Sequence, residues 1–284
     1  MHKNHFDYII CGGGASGLLL VFRICNDPYF TGKSILLIEK DAKNTNDRTW
    51  CFWESGEGDL EKIVHKTWDQ AHFNADNFEI DFSLAPFQYK MIRSIDFYES
   101  MKKQLADFNQ LTQIKEKVSL IEENIVTTEI QSYHGGKVFS SIYDPKSLYD
   151  QKKYPVLLQH FVGQVVETQK PCFNRDRIEF MNFNVPQMGN TRFMYVLPLG
   201  PNKALLEYTL FSEKLLEKKE YTDTINAFLK EIPTGGYEVL EEEEGKIPMT
   251  CYRFDLKNSS DLLHIGTAGG WTKPSTGFTF QRIN

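Results

Sequence analysis

The chain has 284 residues, of which 41% are hydrophobic and 25% are charged, a balance typical of an ordinary soluble globular protein. Its formal net charge of −6 disfavours a nucleic-acid partner, because phosphate binding requires clustered Lys and Arg side chains. The five cysteines are scattered and form no CxxC pair, which fits a reducing cytosol rather than a disulfide framework or a zinc site.

The first predicted elements form a strand–turn–helix–strand unit. Residues 6–11 are short, apolar and partly β-branched, as in a buried parallel strand, and a glycine-rich turn follows at residues 12–17. An apolar helix is predicted over residues 18–24, and a second buried strand over residues 34–40 finishes near an acid, Glu39. This order is that of a dinucleotide-binding βαβ unit.

Each glycine of the turn has a separate task in such a unit. Gly12 makes the tight turn, Gly14 lets the backbone approach a pyrophosphate, and Gly17 lets the helix pack closely on the strand. The helix that begins near Ala15 offers free N–H groups and the positive end of its dipole to the phosphates. Glu39 is placed to accept hydrogen bonds from ribose hydroxyls. Glycine-rich turns can also serve structure alone, but the surrounding strands, helix and acid favour a cofactor site.

The elements after this unit have mixed periodicity. An amphipathic helix is predicted over residues 94–108, and another over residues 222–231 stops before Pro233. A turn is predicted at Gly135-Gly136. The remaining predicted strands cover residues 116–122, 125–133, 137–143, 155–167, 177–183, 191–199 and 203–210. This layout indicates a mostly parallel cofactor sheet interrupted by an antiparallel sheet that covers the substrate.

A second glycine-rich segment lies late in the sequence. The predicted strand 262–265 runs into Gly266, Thr267, Ala268 and Gly269. The segment is either a surface turn or a second stretch of backbone that approaches the flavin end of FAD. Folds that bind only NAD do not need such a second site, so the pair of glycine segments favours FAD, a choice that also draws on the resemblance described next.

Three further motifs carry a resemblance to a known family. They are residues 48–53 (RTWCFW), 243–250 (EEGKIPMT) and 266–278 (GTAGGWTKPSTGF). Together with the glycine turn they resemble the bacterial lycopene cyclases, flavoproteins related in fold to the aromatic hydroxylases. The resemblance covers essentially the whole chain. It implies an α/β fold in which a Rossmann-type FAD-binding domain is interleaved with an antiparallel-sheet substrate domain.

The expected domain boundaries follow this interleaved arrangement. The FAD-binding domain is expected in three segments, residues 1–75, 93–152 and 253–284. The substrate domain is expected to take a strand or loop at residues 76–92 and the whole of residues 153–252. Members of the family continue with a helical C-terminal region, so we expect this sequence to be truncated within the third FAD-binding segment.

The resemblance implies an isomerase of carotenoid biosynthesis, a lycopene β-cyclase. Both acyclic ends of lycopene are closed into β-rings to give β-carotene, with no net redox change. The family nevertheless requires reduced FAD, with NAD(P)H as the expected reductant. Two competing interpretations stay open. One is an NAD(P)H-dependent flavin monooxygenase or prenyl-chain reductase on the same fold, and the other is a truncated, non-catalytic flavoprotein.

The resemblance points to two acids as candidates for proton transfer. In the family the catalytic acid lies in a hydrophobic-Leu-Glu-x-Thr motif, which here is Glu207 within residues 205–209. Relatives often carry a second acid where Tyr208 stands. An acid just before Gly-x-Ile-Pro lies near the active site of the family, which makes Glu243 a secondary candidate. The acidic run 241–244 is otherwise typical of a solvated strand end.

The residues around Glu207 favour its catalytic role. Strand alternation places Glu207 on the face of Leu205 and Phe211, and an apolar setting raises the pKa of a carboxyl and keeps it protonated. A strand Glu that faces solvent is the alternative. Aromatic faces can stabilise a cation, and the strand aromatics that could do so are Phe161, Phe193 and Tyr195.

Arg48 precedes two tryptophans, Trp50 and Trp53. We expect Arg48 to contact the cofactor or line the pocket, although both tryptophans could equally be core residues. Many flavoproteins of this fold have Asp where Thr267 stands, so one usual contact to the ribityl chain is in question. The histidines show no metal-ligand spacing, and no metal is expected.

The expected location combines two considerations. No apolar run is long enough to cross a bilayer, and the early first strand leaves no room for a signal peptide. Lycopene, however, dissolves only in membranes. We therefore expect a cytoplasmic protein that is peripheral to the inner face of the cell membrane.

Overall fold

The computed structural model of the protein describes residues 4–284, so the first three residues of the predicted segment 1–75 lie outside the description. The described chain divides into two compact units. The first unit comprises the described part of Met1–Asn46 together with Ser94–Pro155 and Thr250–Asn284. The second unit comprises Asp47–Arg93 and Val156–Met249.

The helices are α1 (Ala15–Asn26), α2 (Ser94–Leu105), α3 (Lys146–Tyr149), α4 (Lys218–Lys230) and α5 (Phe280–Ile283). Short 3-10 helices are formed by Pro28–Phe30, Glu61–Ile63, Phe254–Lys257 and Gly266–Gly269. The strands are β1 (His5–Cys11), β2 (Ile35–Glu39), β3 (Thr49–Glu54), β4 (Lys66–Trp68), β5 (Gln70–Ala75), β6 (Phe78–Ser83), β7 (Gln88–Arg93), β8 (Leu111–Lys115), β9 (Val118–Glu122), β10 (Ile125–Thr128), β11 (Ser132–Ser140), β12 (Val156–Thr168), β13 (Arg177–Asn182), β14 (Thr191–Pro198), β15 (Lys203–Ser212), β16 (Tyr237–Thr250) and β17 (Leu262–His264).

The sheet of the first unit is built around β1. Strand β1 pairs in parallel with β2 on one side and with β11 on the other, and β2 pairs in parallel with β8. Strands β10 and β9 extend the sheet antiparallel beyond β11, and the short β17 pairs in parallel with β11. Ile9, Leu36 and Val138 of the central strands are fully buried, as expected for parallel strands covered on both faces. The predicted Rossmann-type βαβ order is confirmed.

The predicted turn at Gly135-Gly136 is wrong, because β11 runs straight through both residues. A Cβ atom at Gly136 would lie 2.8 Å from the carbonyl oxygen of Asp7, and one at Gly135 would lie 3.1 Å from Cγ1 of Ile9. Both contacts are with β1, the strand that pairs with β11. The two glycines therefore serve the close approach of neighbouring strands rather than a change of chain direction.

The second unit contains a seven-stranded sheet with the strand order β16-β12-β15-β14-β13-β5-β6. A smaller antiparallel sheet has the order β3-β7-β4. Helix α4 covers one face of the large sheet, where Leu206, Tyr208, Ile225 and Leu229 belong to one buried cluster. Because alternate residues of a strand face opposite sides, Glu207 lies on the other face. That side of the sheet is called the Glu207 face below.

The boundary between the first two segments of the chain differs from the predicted one. The sequence predicted that residues 1–75 belong together, whereas the contacts divide the chain between Asn46 and Asp47. The reason is pairing: β3 and β4 both pair with β7, and β5 pairs with β13, so all of them belong to the second unit. The assignment of the units to cofactor and substrate stays a prediction.

Candidate functional site

The predicted glycine turn adopts a conformation that only glycine tolerates well. Gly12 has a φ of +101°, and a Cβ atom at Gly17 would overlap the carbonyl oxygen of Gly12. A Cβ atom at Gly14, by contrast, would meet nothing within 4 Å, and no side chain caps the N-terminus of α1 there. The turn therefore leaves open space beside the N–H groups that begin α1 at Ala15, which is where a phosphate group would bind.

Glu39 closes the other side of this turn. Its Oε2 accepts a hydrogen bond of 2.5 Å from the backbone N–H of Gly13, and its Oε1 accepts one of 2.9 Å from the N–H of Asp41. A carboxylate oxygen can accept more than one hydrogen bond, so Glu39 keeps capacity for a ribose hydroxyl. The predicted ribose contact stays a prediction.

The late glycine segment lies against the same helix. Strand β17 leads into the 3-10 helix Gly266–Gly269, which contains Thr267 and Ala268. Gly266 has a φ of +60°, and a Cβ atom there would overlap Oγ of Ser16 in α1. The fold of the first unit thus brings both predicted glycine segments together at the N-terminus of α1. This cradle of backbone, with its open space at Gly14, fits a dinucleotide cofactor.

The second unit positions Glu207 on an inner strand of its large sheet. In the strand register Glu207 of β15 stands opposite Tyr195 of β14 on one side and Gly163 of β12 on the other. Oγ1 of Thr209 donates a hydrogen bond of 2.6 Å to Oε1 of Glu207. Glu207 is half-buried as a residue, and its carboxyl group is surrounded by protein atoms.

The pKa of the Glu207 carboxyl is raised to about 8. Burial is the largest cause, and the negative charge of Glu243 raises the pKa further. The hydrogen bond from Thr209 acts in the opposite direction, because it stabilises the ionised form. A carboxyl in this state holds its proton at neutral pH and can donate it.

Gly163 allows the two candidate acids to share the Glu207 face. It lies on β12, between β15 with Glu207 and β16 with Glu243. A Cβ atom at Gly163 would lie 3.2 Å from Cγ of Glu243 and 3.1 Å from Cδ1 of Leu205. The missing side chain therefore makes room for Glu243 to lean towards Glu207 across the middle strand.

Glu243 is held by a neighbour from the small sheet. Oγ1 of Thr49 donates a hydrogen bond of 2.8 Å to its Oε2. Burial raises the pKa of Glu243, whereas the hydrogen bond from Thr49 and the positive charge of Arg48 lower it. Nη1 of Arg48 also donates to the carbonyl oxygen of Glu244, at 3.4 Å. The structure therefore places Arg48 beside Glu243 in the second unit, and its predicted contact to the cofactor stays a prediction.

Two polar residues near Glu207 were missed at the sequence level. Cys51 and Tyr89 lie close to each other, and burial raises the pKa of both groups well above their ordinary values. The charge of Glu207 contributes to each shift, so the three groups are close neighbours. Alternation along β3 puts Thr49, Cys51 and Trp53 on one side of the strand. The motif RTWCFW therefore contained a signal from which the position of Cys51 could have been found.

Aromatic rings surround this group of polar residues. The ring of Tyr195 lies 5.7 Å from that of Phe180 and 5.0 Å from that of Phe193. Trp53 lies 5.3 Å from Phe180. Phe161 also lies on the Glu207 face, where it occupies the space over Gly245. The predicted aromatics Phe161, Phe193 and Tyr195 are therefore all brought to the side of Glu207.

Tyr208 and His160 face helix α4 instead. Tyr208 is 1% exposed, and its ring lies 6.2 Å from that of Tyr221. His160 bonds the hydroxyl of Tyr221 through Nδ1 and that of Ser212 through Nε2. Both residues thus belong to the packing of the helix. Among residues 4–284, no group of His, Cys, Asp or Glu side chains is arranged to hold a metal ion.

Comparison with protein families gives a match over almost the whole chain. The family model described as lycopene cyclase protein matches residues 7–284. The chain belongs to the lycopene cyclase family. The lycopene beta-cyclase of Pantoea ananas is 23% identical over 292 residues, covering 97% of this chain and 71% of that protein. The lycopene beta-cyclase of Paracoccus sp. (strain N81106 / MBIC 01143) is 25% identical over 144 residues, covering 49% of this chain and 37% of that protein.

Solved structures show the same fold at low sequence identity. A geranylgeranyl bacteriochlorophyll reductase-like protein of Thermoplasma acidophilum superposes with a TM-score of 0.71 at 13% identity, covering 99% of this chain and 75% of that one. The flavin-dependent brominase Bmp2 superposes with a TM-score of 0.60 at 14% identity, covering 93% of this chain and 72% of that one. The predicted fold class, an α/β flavoprotein fold with a Rossmann-type unit, is confirmed.

Proposed function

We propose that the chain is a lycopene β-cyclase, an isomerase that closes acyclic ends of lycopene into β-rings without net redox change. The observation that carries this proposal is the pair of acids on the Glu207 face, enclosed by aromatic rings and separated only by Gly163. Membership of the lycopene cyclase family supports it.

Glu207 is proposed to start the reaction. Ring closure requires a proton on a carbon–carbon double bond, and a carboxyl group can supply it only if it is protonated in the resting protein. The buried setting of Glu207 meets that requirement. Proton addition creates a carbocation, and attack by a neighbouring double bond then closes the ring.

Glu243 is proposed to take part in removing a proton at the end. Its hydrogen bond from Thr49 and its neighbour Arg48 stabilise the ionised form of Glu243, whereas burial and the charge of Glu243 raise the pKa of Glu207. Two carboxyls whose surroundings differ in this way are suited to opposite roles. One proton enters and one leaves, so the product is an isomer of the substrate.

The rings around Glu207 have two proposed tasks. The faces of Tyr195, Phe180 and Trp53 attract a cation through their π-electrons. They also keep water away, since a carbocation in contact with water would be captured as an alcohol.

The first unit is proposed to bind FAD. The residues that would hold it are Gly12, Gly14, Ala15, Gly17, Glu39, Gly266, Thr267, Ala268 and Gly269. Bound FAD in its reduced state supplies a fixed negative charge that stabilises cations in a medium of low dielectric constant. NAD(P)H is the proposed reductant.

The solubility of the proposed substrate indicates where in the cell the protein works. Among the described residues no helix is long and apolar enough to cross a bilayer. Because lycopene is confined to membranes, we propose that the protein works in the cytoplasm at the inner face of the cell membrane, as a peripheral protein.

Anaerobic incubation with reduced FAD and lycopene tests the function. Wild type is expected to form cyclic product, and Glu207→Gln is expected to lose it, because the amide cannot donate a proton in this way. Glu242→Gln is the matched control: Glu242 lies on β16 beside Glu243 but is exposed and bonds Lys218 and Gln164 on the other side of the sheet.

Full activity of Glu207→Gln would contradict the assignment of Glu207 as the proton donor. A reduced product from wild type would instead assign a prenyl-chain reductase. An oxygenated product formed only after air is admitted would assign a monooxygenase, and no product under any of these conditions would assign a non-catalytic flavoprotein.

A further inference from the structure

The outermost strand of the seven-stranded sheet exposes large apolar side chains. On β6, Phe78 is 55% exposed, Ile80 is 45% exposed and Phe82 is 37% exposed. Alternation puts these three side chains on one side of the strand and the charged Glu79 and Asp81 on the other. A group of neighbouring exposed apolar side chains is uncommon on a folded chain and indicates a binding site for a ligand, a membrane or another protein.

These side chains are connected to the environment of Glu207 by a series of ring contacts. Phe78 lies 6.1 Å from Phe73, and Phe73 lies 5.6 Å from Phe183. Phe183 lies 5.4 Å from Phe193, which lies 5.0 Å from Tyr195, the residue opposite Glu207. These five rings are called the aromatic row. Since each ring touches the next, the row lies on the Glu207 face along its whole length.

The exposure of the rings changes systematically along the row. Phe78 is 55% exposed, Phe73 and Phe183 are partly exposed, and Phe193 and Tyr195 are 1% and 8% exposed. The row therefore leads from open surface to the buried end at Glu207. From Glu207 on β15 to Phe78 on β6 the sheet has four strand spacings, which corresponds to about 19 Å. That length suits an extended chain rather than a compact ligand.

We propose that the aromatic row is a binding subsite for a long unsaturated hydrocarbon chain, the part of the substrate that extends away from the end at Glu207. The proposal rests on the proposed function and deepens it. The tilted and edge-to-face rings of the row, together with Ile80, offer an apolar surface with no charged side chain of β6 on it. Such a surface binds a polyene by removing apolar area from water, and it offers nothing to a polar or charged chain.

The test compares a long ligand with a short one that has the same acyclic end. Lycopene in detergent micelles is titrated by quenching of tryptophan fluorescence, and geraniol is titrated as a competitor. For Phe78→Ser/Ile80→Ser the Kd of lycopene is expected to rise about tenfold, because two apolar side chains no longer cover the chain. The inhibition constant of geraniol is expected to stay the same, since geraniol is too short to reach β6.

The matched control is Val239→Ser/Leu240→Ser. Val239 and Leu240 are 45% and 40% exposed on β16, the opposite edge strand of the same sheet. This variant is expected to bind lycopene within twofold of wild type. An unchanged lycopene Kd for the β6 variant, an equal loss in both double variants, or an equal loss for lycopene and geraniol would each overturn the subsite. Thermal unfolding of both variants checks that the exposed substitutions leave the fold intact.

Two results separate this subsite from the proposed reaction. If wild type and the β6 variant form cyclic product equally well and have equal Kd values for lycopene, the subsite is contradicted and the proposed function is supported. If only the β6 variant binds lycopene more weakly but the wild type forms no cyclic product, the subsite is supported and the proposed function is contradicted. Sedimentation at the titration concentration adds one more outcome. A dimer that dissociates in the β6 variant, with unchanged lycopene Kd, would assign β6 to contact with a second copy and overturn the proposal.

Discussion

At the scale of single residues, the protonation of Glu207 links activity and stability to pH. The folded protein holds this carboxyl proton up to about pH 8, whereas an unfolded chain releases it near the ordinary value of 4.5. Between these values the folded state binds more protons than the unfolded state. The free energy of unfolding contributed by this group therefore falls as pH rises from 4.5 to 8.

Glu207→Gln is expected to remove that pH dependence. The amide stays neutral at all pH values, so the variant should lose less stability between pH 5 and pH 8, a range set by the shift to about 8. Urea unfolding at several pH values measures the difference. In parallel, the wild-type rate of cyclisation is expected to decline as pH rises through about 8. Identical slopes for both proteins would show that the Glu207 carboxyl is not protonated in the folded state.

Gly163→Val tests the space between the two acids. The new side chain would collide with Cγ of Glu243, from which even a Cβ atom is only 3.2 Å away, and would displace this acid from the Glu207 face. We expect cyclase activity to drop by about tenfold or more, a typical effect of misplaced reacting groups. Gly200→Ala is the control, because a Cβ atom at Gly200 meets nothing within 4 Å. Wild-type turnover by Gly163→Val would contradict the role of this gap.

Gly14→Val separates cofactor binding from folding. The position tolerates a side chain sterically, since a Cβ atom there meets nothing within 4 Å and φ is an ordinary −78°. The added side chain would fill the space proposed for the pyrophosphate. We expect flavin absorbance to be lost after gel filtration while the thermal midpoint of the flavin-free protein is unchanged. Gly17→Val, which would overlap Gly12, is expected to lower both.

At the scale of elements, α4 stabilises the sheet that carries Glu207. Ile225 of α4 is fully buried in the cluster with Leu206 and Tyr208. Ile225→Ala is expected to reduce the free energy of unfolding by about 2–5 kcal/mol, through lost burial and the cavity left behind. Exposed Lys230 at the end of the same helix is the control, and Lys230→Ala should stay within about 0.5 kcal/mol. Urea unfolding of the two variants measures both values.

The sequence predicted those elements whose signal is local. The alternation around Glu207 indicated the correct face of β15, and the spacing of the glycines indicated the start of α1. The positions of Gly163 and Tyr89 beside Glu207 could not be predicted, because they depend on which strands pair and in which register. Register between strands distant in sequence leaves little trace in local periodicity. The same limit explains why Gly135-Gly136 was taken for a turn.

At the scale of the whole molecule, the proposed reaction is balanced without a stoichiometric electron donor. One proton enters at Glu207 and one leaves, so product and lycopene should have the same mass. We expect NAD(P)H consumption far below one equivalent per ring formed under anaerobic conditions, measured by absorbance alongside product analysis. A reductase on this fold would consume one equivalent for each product under these conditions, and a monooxygenase would do so once oxygen is admitted. Stoichiometric consumption would therefore contradict the isomerase proposal.

The division of both units among distant chain segments has a consequence for synthesis on the ribosome. The seven-stranded sheet includes β5 and β6 near the start of the chain, but its β16 is not made until Thr250. The first unit gains its last strand, β17, only at His264. Neither unit can therefore fold completely until these late strands have left the ribosome. Until then the early strands lack their pairing partners. A nascent chain therefore exposes unpaired strands, which are prone to aggregate, until at least His264 has been made.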